Sequence, residues 1–154
     1  MRNNMNGRTS HFIMPNDSRR IAVALLGLRV TVFIVMLMWT IDKFVRPDHA
    51  GAVFENFYGL GGVGDAVMYG IAGAELLLIL AFVAGLAPRF TYGAVLLLHA
   101  ISTLSSFRQY LAPFDKNNLL FFAAWPMLGA CFALYYLRDM DTLGRVGGRK
   151  GAAG

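Results

Sequence analysis

Charge is what this chain has least of. Only 15% of its 154 residues are Asp, Glu, Lys or Arg, against about 25% in an ordinary soluble domain. Hydrophobic residues make up 56%, a balance that disfavours a water-soluble globule. Cysteine is nearly absent as well. Cys131 alone excludes an internal disulfide and any C-x-x-C pair, so dithiol exchange carried by this chain is ruled out. Lying inside an apolar run, that thiol reads as a small buried apolar residue. Of the histidines, only His99 falls in an apolar run, too few for a bis-histidine haem. Met36 and Met38 are two apart and face different directions on a helix, which argues against a copper site; no metal is expected. Nothing resembles a hydrolase triad, a phosphate loop or a solenoid repeat. The first 20 residues are polar. The apolar stretch that follows is about twice the length of a signal h-region, so no cleavable signal peptide is expected.

What is present is a set of long apolar runs in a chain of single-domain length. Four of them approach the ~20 residues needed to cross a hydrocarbon core: Ile21–Ile41, Ala66–Leu86, Phe90–Tyr110 and Leu119–Leu137. The link Ala87-Pro88-Arg89 makes runs two and three a tight antiparallel hairpin. Asn16, Asp17 and Ser18 are N-cap candidates for the first helix. Asn16-Asp17-Ser18 also spells a glycosylation sequon, but the topology below leaves it in the cytoplasm and favours capping. The expected fold is therefore all-α, an integral membrane four-helix bundle. Residues 1–20 form a polar segment before it, residues 21–138 the membrane domain, and residues 139–154 a flexible basic tail near anionic lipid.

Orientation follows from Lys and Arg placement. One side would hold Arg2, Arg8, Arg19, Arg20, Arg89, Arg138, Arg145, Arg149 and Lys150, the other only Lys43, Arg46, Arg108 and Lys116. The positive-inside rule then puts both termini in the cytoplasm of a multi-pass inner-membrane protein. The net charge of +5 is accounted for by these loops. No basic face is left for nucleic acid. In the first outer loop, Val53, Phe54, Phe57 and Tyr58 share one helical face while Glu55 falls elsewhere. That segment should lie in the interface plane, aromatic side down, either as a lid over the bundle or as a passive interfacial helix. Gly59-Leu60-Gly61-Gly62-Val63-Gly64 matches G-x-G-x-x-G by letter. Without a preceding strand it is not a nucleotide fingerprint and reads as a turn.

Ionisable groups at bilayer depth cost ~2.5–3.5 kcal/mol each on insertion scales and are functional candidates by default. Arg29, Glu75 and His99 lie ~12, ~16 and ~14 Å from the cytoplasmic ends of their helices at ~1.5 Å per residue. They could therefore meet in one plane, with Arg29 and Glu75 paired. The alternative is a buried ion pair that only fixes helix register. His99, Ser102, Thr103 and Ser106 form a polar stripe that Gln109 and Tyr110 continue outward. Such hydroxyls are also ordinary packing residues on membrane helices. Trp39, Thr40 and Lys43 share the face of Arg29, with Trp39 in the interfacial belt and Lys43 snorkelling outward. Trp125-Pro126 suggests a kink in the fourth helix. Arg29, Glu75, His99, Ser102, Thr103 and Ser106 are the pocket candidates. Trp39, Lys43, Phe54, Phe57 and Tyr58 are the lid or interfacial candidates.

Leu28-Arg29, Lys43, and Glu75-Leu76-Leu77-Leu78 leading to Gly85-Leu86 and Arg89 give the chain a family likeness. Over Ile21 to Leu137 it resembles the DoxX-like membrane proteins, a superfamily that includes MauE-type proteins. The glycine usual before the lysine is replaced by Trp39-Thr40-Ile41-Asp42. The resemblance implies a redox-associated subunit that contacts a quinone or a membrane or periplasmic partner oxidoreductase. A non-catalytic assembly or maturation factor ranks second, and a small-solute transporter third.

Overall fold

A computed structural model describes residues 15–146. The polar segment before residue 15 and the tail beyond 146 lie outside the described residues. Six α-helices account for most of the remainder: α1 Pro15–Val45, α2 Pro47–Tyr58, α3 Asp65–Val83, α4 Pro88–Ser105, α5 Phe107–Leu111 and α6 Ala124–Tyr136. A 3₁₀ turn, Asn118–Ala123, leads directly into α6. Three runs are long and apolar enough to cross a membrane: Asn16–Val45, Asp65–Val83 and Asn118–Tyr136. Helix α4, at 18 residues, carries Arg89, Thr91, Tyr92, His99, Ser102 and Thr103 and is more polar.

The expected third span does not run unbroken from 90 to 110. It is interrupted at Ser106, after which the short α5 restarts. Nor does the fourth helix kink at Pro126. The chain is 3₁₀ up to Ala123, and Pro126 stands in the first turn of α6.

Helix α1 packs against α3 and α6, and α4 packs against the same two from the other side. Each helix turns a seam of positions three and four apart toward the others. On α1 the buried positions are Ala22, Leu25, Arg29, Val32, Met36 and Thr40; on α3 they are Met68, Ala72, Ile79 and Phe82. Alternating steps of three and four keep one narrow stripe on the helix–helix contact, as in coiled coils. The apolar centre joins Leu25, Val32, Met36, Ile79, Phe82, Val95, Cys131 and Leu134. Outward faces are equally apolar: Leu77 is 72% exposed, Phe90 74% and Leu120 74%. An apolar surface on this scale suits lipid and not water.

Helix α2 lies across the end of the helices that the chain reaches at Val45, touching α1, α3 and α4. Its Val53, Phe54, Phe57 and Tyr58 are half-buried and Glu55 is exposed, as the helical wheel predicts. Phe57 stacks on Phe121 with ring centroids 5.8 Å apart. At its C-terminus Gly59 adopts φ +69°, and the N–H groups of Gly59 and Leu60 bond back to the carbonyls of Glu55 and Phe54. This Schellman closure turns the chain into the glycine loop.

Candidate functional site: two polar layers in an apolar interior

The first layer is built around Arg29, which is fully buried. Its Nη1 donates to Tyr92 Oη at 3.0 Å and to Asp141 Oδ2 at 3.0 Å. Its Nη2 donates to the carbonyls of Leu143 at 2.6 Å and Gly144 at 3.2 Å. Tyr92 in turn donates its hydroxyl hydrogen to Asp141 Oδ2 at 2.5 Å. Since α1 and α4 are separated by α3 and α6, the Arg29–Tyr92 bond crosses the middle of the helix array. Arg29 Nε and Asp141 Oδ1 have no hydrogen-bond partner among the described residues.

The carbonyls arrive on a strap, residues 137–146, that folds back under the helix ends. Val146 donates its N–H to Ala84 O at 2.9 Å, and Arg145 reaches Asp141 O at 3.0 Å and Gly85 O at 3.4 Å. Two glycines make the approach possible. Gly85 has φ +65°, and a Cβ there would come within 2.5 Å of Arg145 Cγ and 2.7 Å of Arg29 Nη1. Gly144 has φ +60° and lies against Arg29 Nη2. Residues 139–146, expected to open a flexible tail, are thus part of the packed structure.

The second layer lies toward the α2 end. Lys43 Nζ sits 2.8 Å from Glu75 Oε2, each side chain 13% exposed, and also donates to Trp39 O at 3.2 Å. Glu75 takes the seam position between Ala72 and Ile79 on α3. His99 Nε2 lies 3.1 Å from Ala124 O, a contact in which the ring nitrogen donates. Thr103 and Ser106, both buried, donate their hydroxyls back to the carbonyls of His99 and Ser102 at 2.7 and 3.2 Å. Ser102 itself is exposed.

Arg29, Glu75 and His99 therefore do not converge, and the expected Arg29–Glu75 pair is replaced by Arg29–Asp141 and Lys43–Glu75. Helix direction is the reason. Side chains on an α-helix lean toward its N-terminus, and α1 and α3 run antiparallel, since Phe44 at the end of one stacks near Tyr69 at the start of the other. Arg29 therefore leans toward the strap, and Glu75 leans the opposite way, toward α2. Lys43 leans back down α1 to meet Glu75, so it points inward instead of snorkelling out. Trp39, one step off the seam, is 53% exposed.

Tyr92 and Asp141 escape a reading by hydropathy, because one is an aromatic in an apolar run and the other lies past the last helix. Charge balance was the available signal: an arginine in an apolar helix needs a carboxylate, and the Asp139–Asp141 stretch supplies one. Among the described residues no three His, Cys, Asp or Glu side chains group as metal ligands. Comparison with protein-family models, curated proteins and solved structures finds no match.

Proposed function

We propose that the chain is an integral membrane protein of DoxX-like type, with four spans, both termini in the cytoplasm, and a non-catalytic role as an assembly or maturation subunit. The observation that carries this reading is that both Nη groups of the buried Arg29 are engaged within the chain. All four Nη hydrogens are used within the chain, by Tyr92, Asp141 and two strap carbonyls. A group so engaged orders helices and is not poised to grip a substrate. In this reading α4 is the remaining span, with Thr91, Tyr92 and Thr103 buried and His99 half-buried, while Arg89 and Ser102 are exposed. The exposed apolar faces contact lipid or the apolar flank of a partner.

A second reading, a redox-associated subunit holding a quinone headgroup, has its support at Lys43–Glu75. That pair retains some exposure beneath α2. There an ammonium could donate to a quinone carbonyl while a carboxylate relays a proton. A partner protein would have to deliver the electrons.

Quantifying co-purified quinone by mass spectrometry separates the two readings. The wild type is compared with a Lys43→Gln, Glu75→Gln double variant. Quinone at the level of bulk lipid, equal in both, is the outcome expected of the assembly subunit. Near-stoichiometric quinone, lost in the variant, would overturn it in favour of the redox subunit.

A further inference from the structure

The break in α4 at Ser106 has a counterpart in the covering helix. Between the C-terminal turn of α2 and the α4–α5 break lies a half-open cleft of about 250 Å³, lined by Glu55, Asn56, Phe57, Ser105, Phe107 and Arg108 among others. It is smaller than the ~300–1,000 Å³ of sites for drug-sized ligands, and so suits a headgroup or a molecule of amino-acid size.

Its lining carries one charge of each sign. Glu55 and Arg108 share the cleft, yet neither is in an ion pair among the described residues. They stand on different elements, α2 and α5. The Glu55 backbone carbonyl accepts the Gly59 N–H at the end of α2, and its carboxylate lies against Gly61. Arg108 lies on α5, its guanidinium carbon 5.8 Å from the Phe107 ring centroid. Two opposite charges that face one small cleft without closing on each other match a ligand that carries both signs itself. Phe57 and Phe107 add aromatic surface against which an ammonium is attracted.

We propose that this cleft binds a small zwitterion, its ammonium on Glu55 and its carboxylate or phosphate on Arg108. The inference stands apart from the function proposed above, since it uses none of the buried polar residues. Two sources share the chemistry: a free amino acid, and the headgroup of phosphatidylethanolamine.

The test uses the full chain purified in mild detergent. Glycine is titrated by calorimetry. Retention of phosphatidylethanolamine is compared with phosphatidylcholine of the same acyl chains by native mass spectrometry. Phosphatidylcholine is the control because its quaternary ammonium has no N–H to give Glu55. One of the two probes is expected to bind the wild type, with at least a tenfold loss in both Glu55→Gln and Arg108→Gln. Both side chains are exposed, so melting temperatures should hold. The double exchange Glu55→Arg with Arg108→Glu then identifies the source. A free zwitterion turns round and binds again, whereas a headgroup tethered through its phosphate does not. No heat with glycine together with equal retention of the two lipids overturns the proposal. So does binding that survives either single substitution.

Discussion

The buried Arg29 guanidinium has both Nη groups bonded and pairs with the equally buried Asp141, and removing one partner of a buried pair costs about 3–5 kcal/mol. Asp141→Ala is therefore expected to lower the detergent melting temperature sharply, and Tyr92→Phe by a smaller step. A melting curve for Asp141→Ala that superimposes on the wild type would show that the knot contributes nothing. The Lys43–Glu75 pair predicts coupling instead. Lys43→Gln and Glu75→Gln each leave one charge alone, so the double variant should be more stable than the sum of the two losses implies. Couplings between contacting residues run at about 0.5–3 kcal/mol; strictly additive losses would mean the two groups do not act as a pair. Two glycines give the sharpest contrast. Gly27→Ala, on α1 with nothing within 4 Å, should stabilise by about 0.5–1 kcal/mol. Gly85→Ala should destabilise, since its positive φ and the neighbouring arginines both exclude a Cβ.

At the scale of elements, the strap changes sides between sequence and structure. By composition residues 139–146 read as the start of a polar tail. In the fold they supply Asp141 and two carbonyls to the interior of the helix array. Ending the chain after Leu137 should leave Arg29 buried with Tyr92 alone and lower the melting temperature at least as far as Asp141→Ala does. In that shortened background the sign of a second change should reverse: Arg29→Leu, damaging in the full chain, should now stabilise. If Arg29→Leu lowers stability equally with and without the strap, the strap is not what holds the arginine. Helix α2 was legible from its wheel, because a segment outside the apolar runs has one apolar and one polar face. The break at Ser106 was not, since Ser and Thr occur both inside membrane helices and at their ends. Pro126 was read as a kink within the fourth helix. Its placement, at a helix start instead of within a helix, depended on the 3₁₀ turn before it.

For the whole molecule, the proposed topology makes Leu60 and Ser18 opposite poles. Cys131 is buried, so single cysteines can be introduced and probed with a membrane-impermeant maleimide in intact cells. Leu60→Cys should react from outside, and Ser18→Cys only after the membrane is opened. Labelling of both before permeabilisation would invalidate the four-span, N-in/C-in arrangement.

The sequence by itself determined that the chain is helical, where its apolar runs lie, that α2 is amphipathic, and that Arg29, Glu75 and His99 are the costly groups to bury. These follow from composition and local periodicity, which any stretch of chain carries within itself. Which faces turn inward was hidden. A helix that is apolar all round shows no moment, and its inner stripe is revealed only by what packs on it. Partnership was hidden as well. Depth along the helix axis put Arg29 and Glu75 in one plane, but side chains lean toward the N-terminus of their own helix, and antiparallel neighbours lean apart. Only the tertiary structure, by setting α1 against α3 and returning the strap beneath them, sent Arg29 to Asp141 and Glu75 to Lys43.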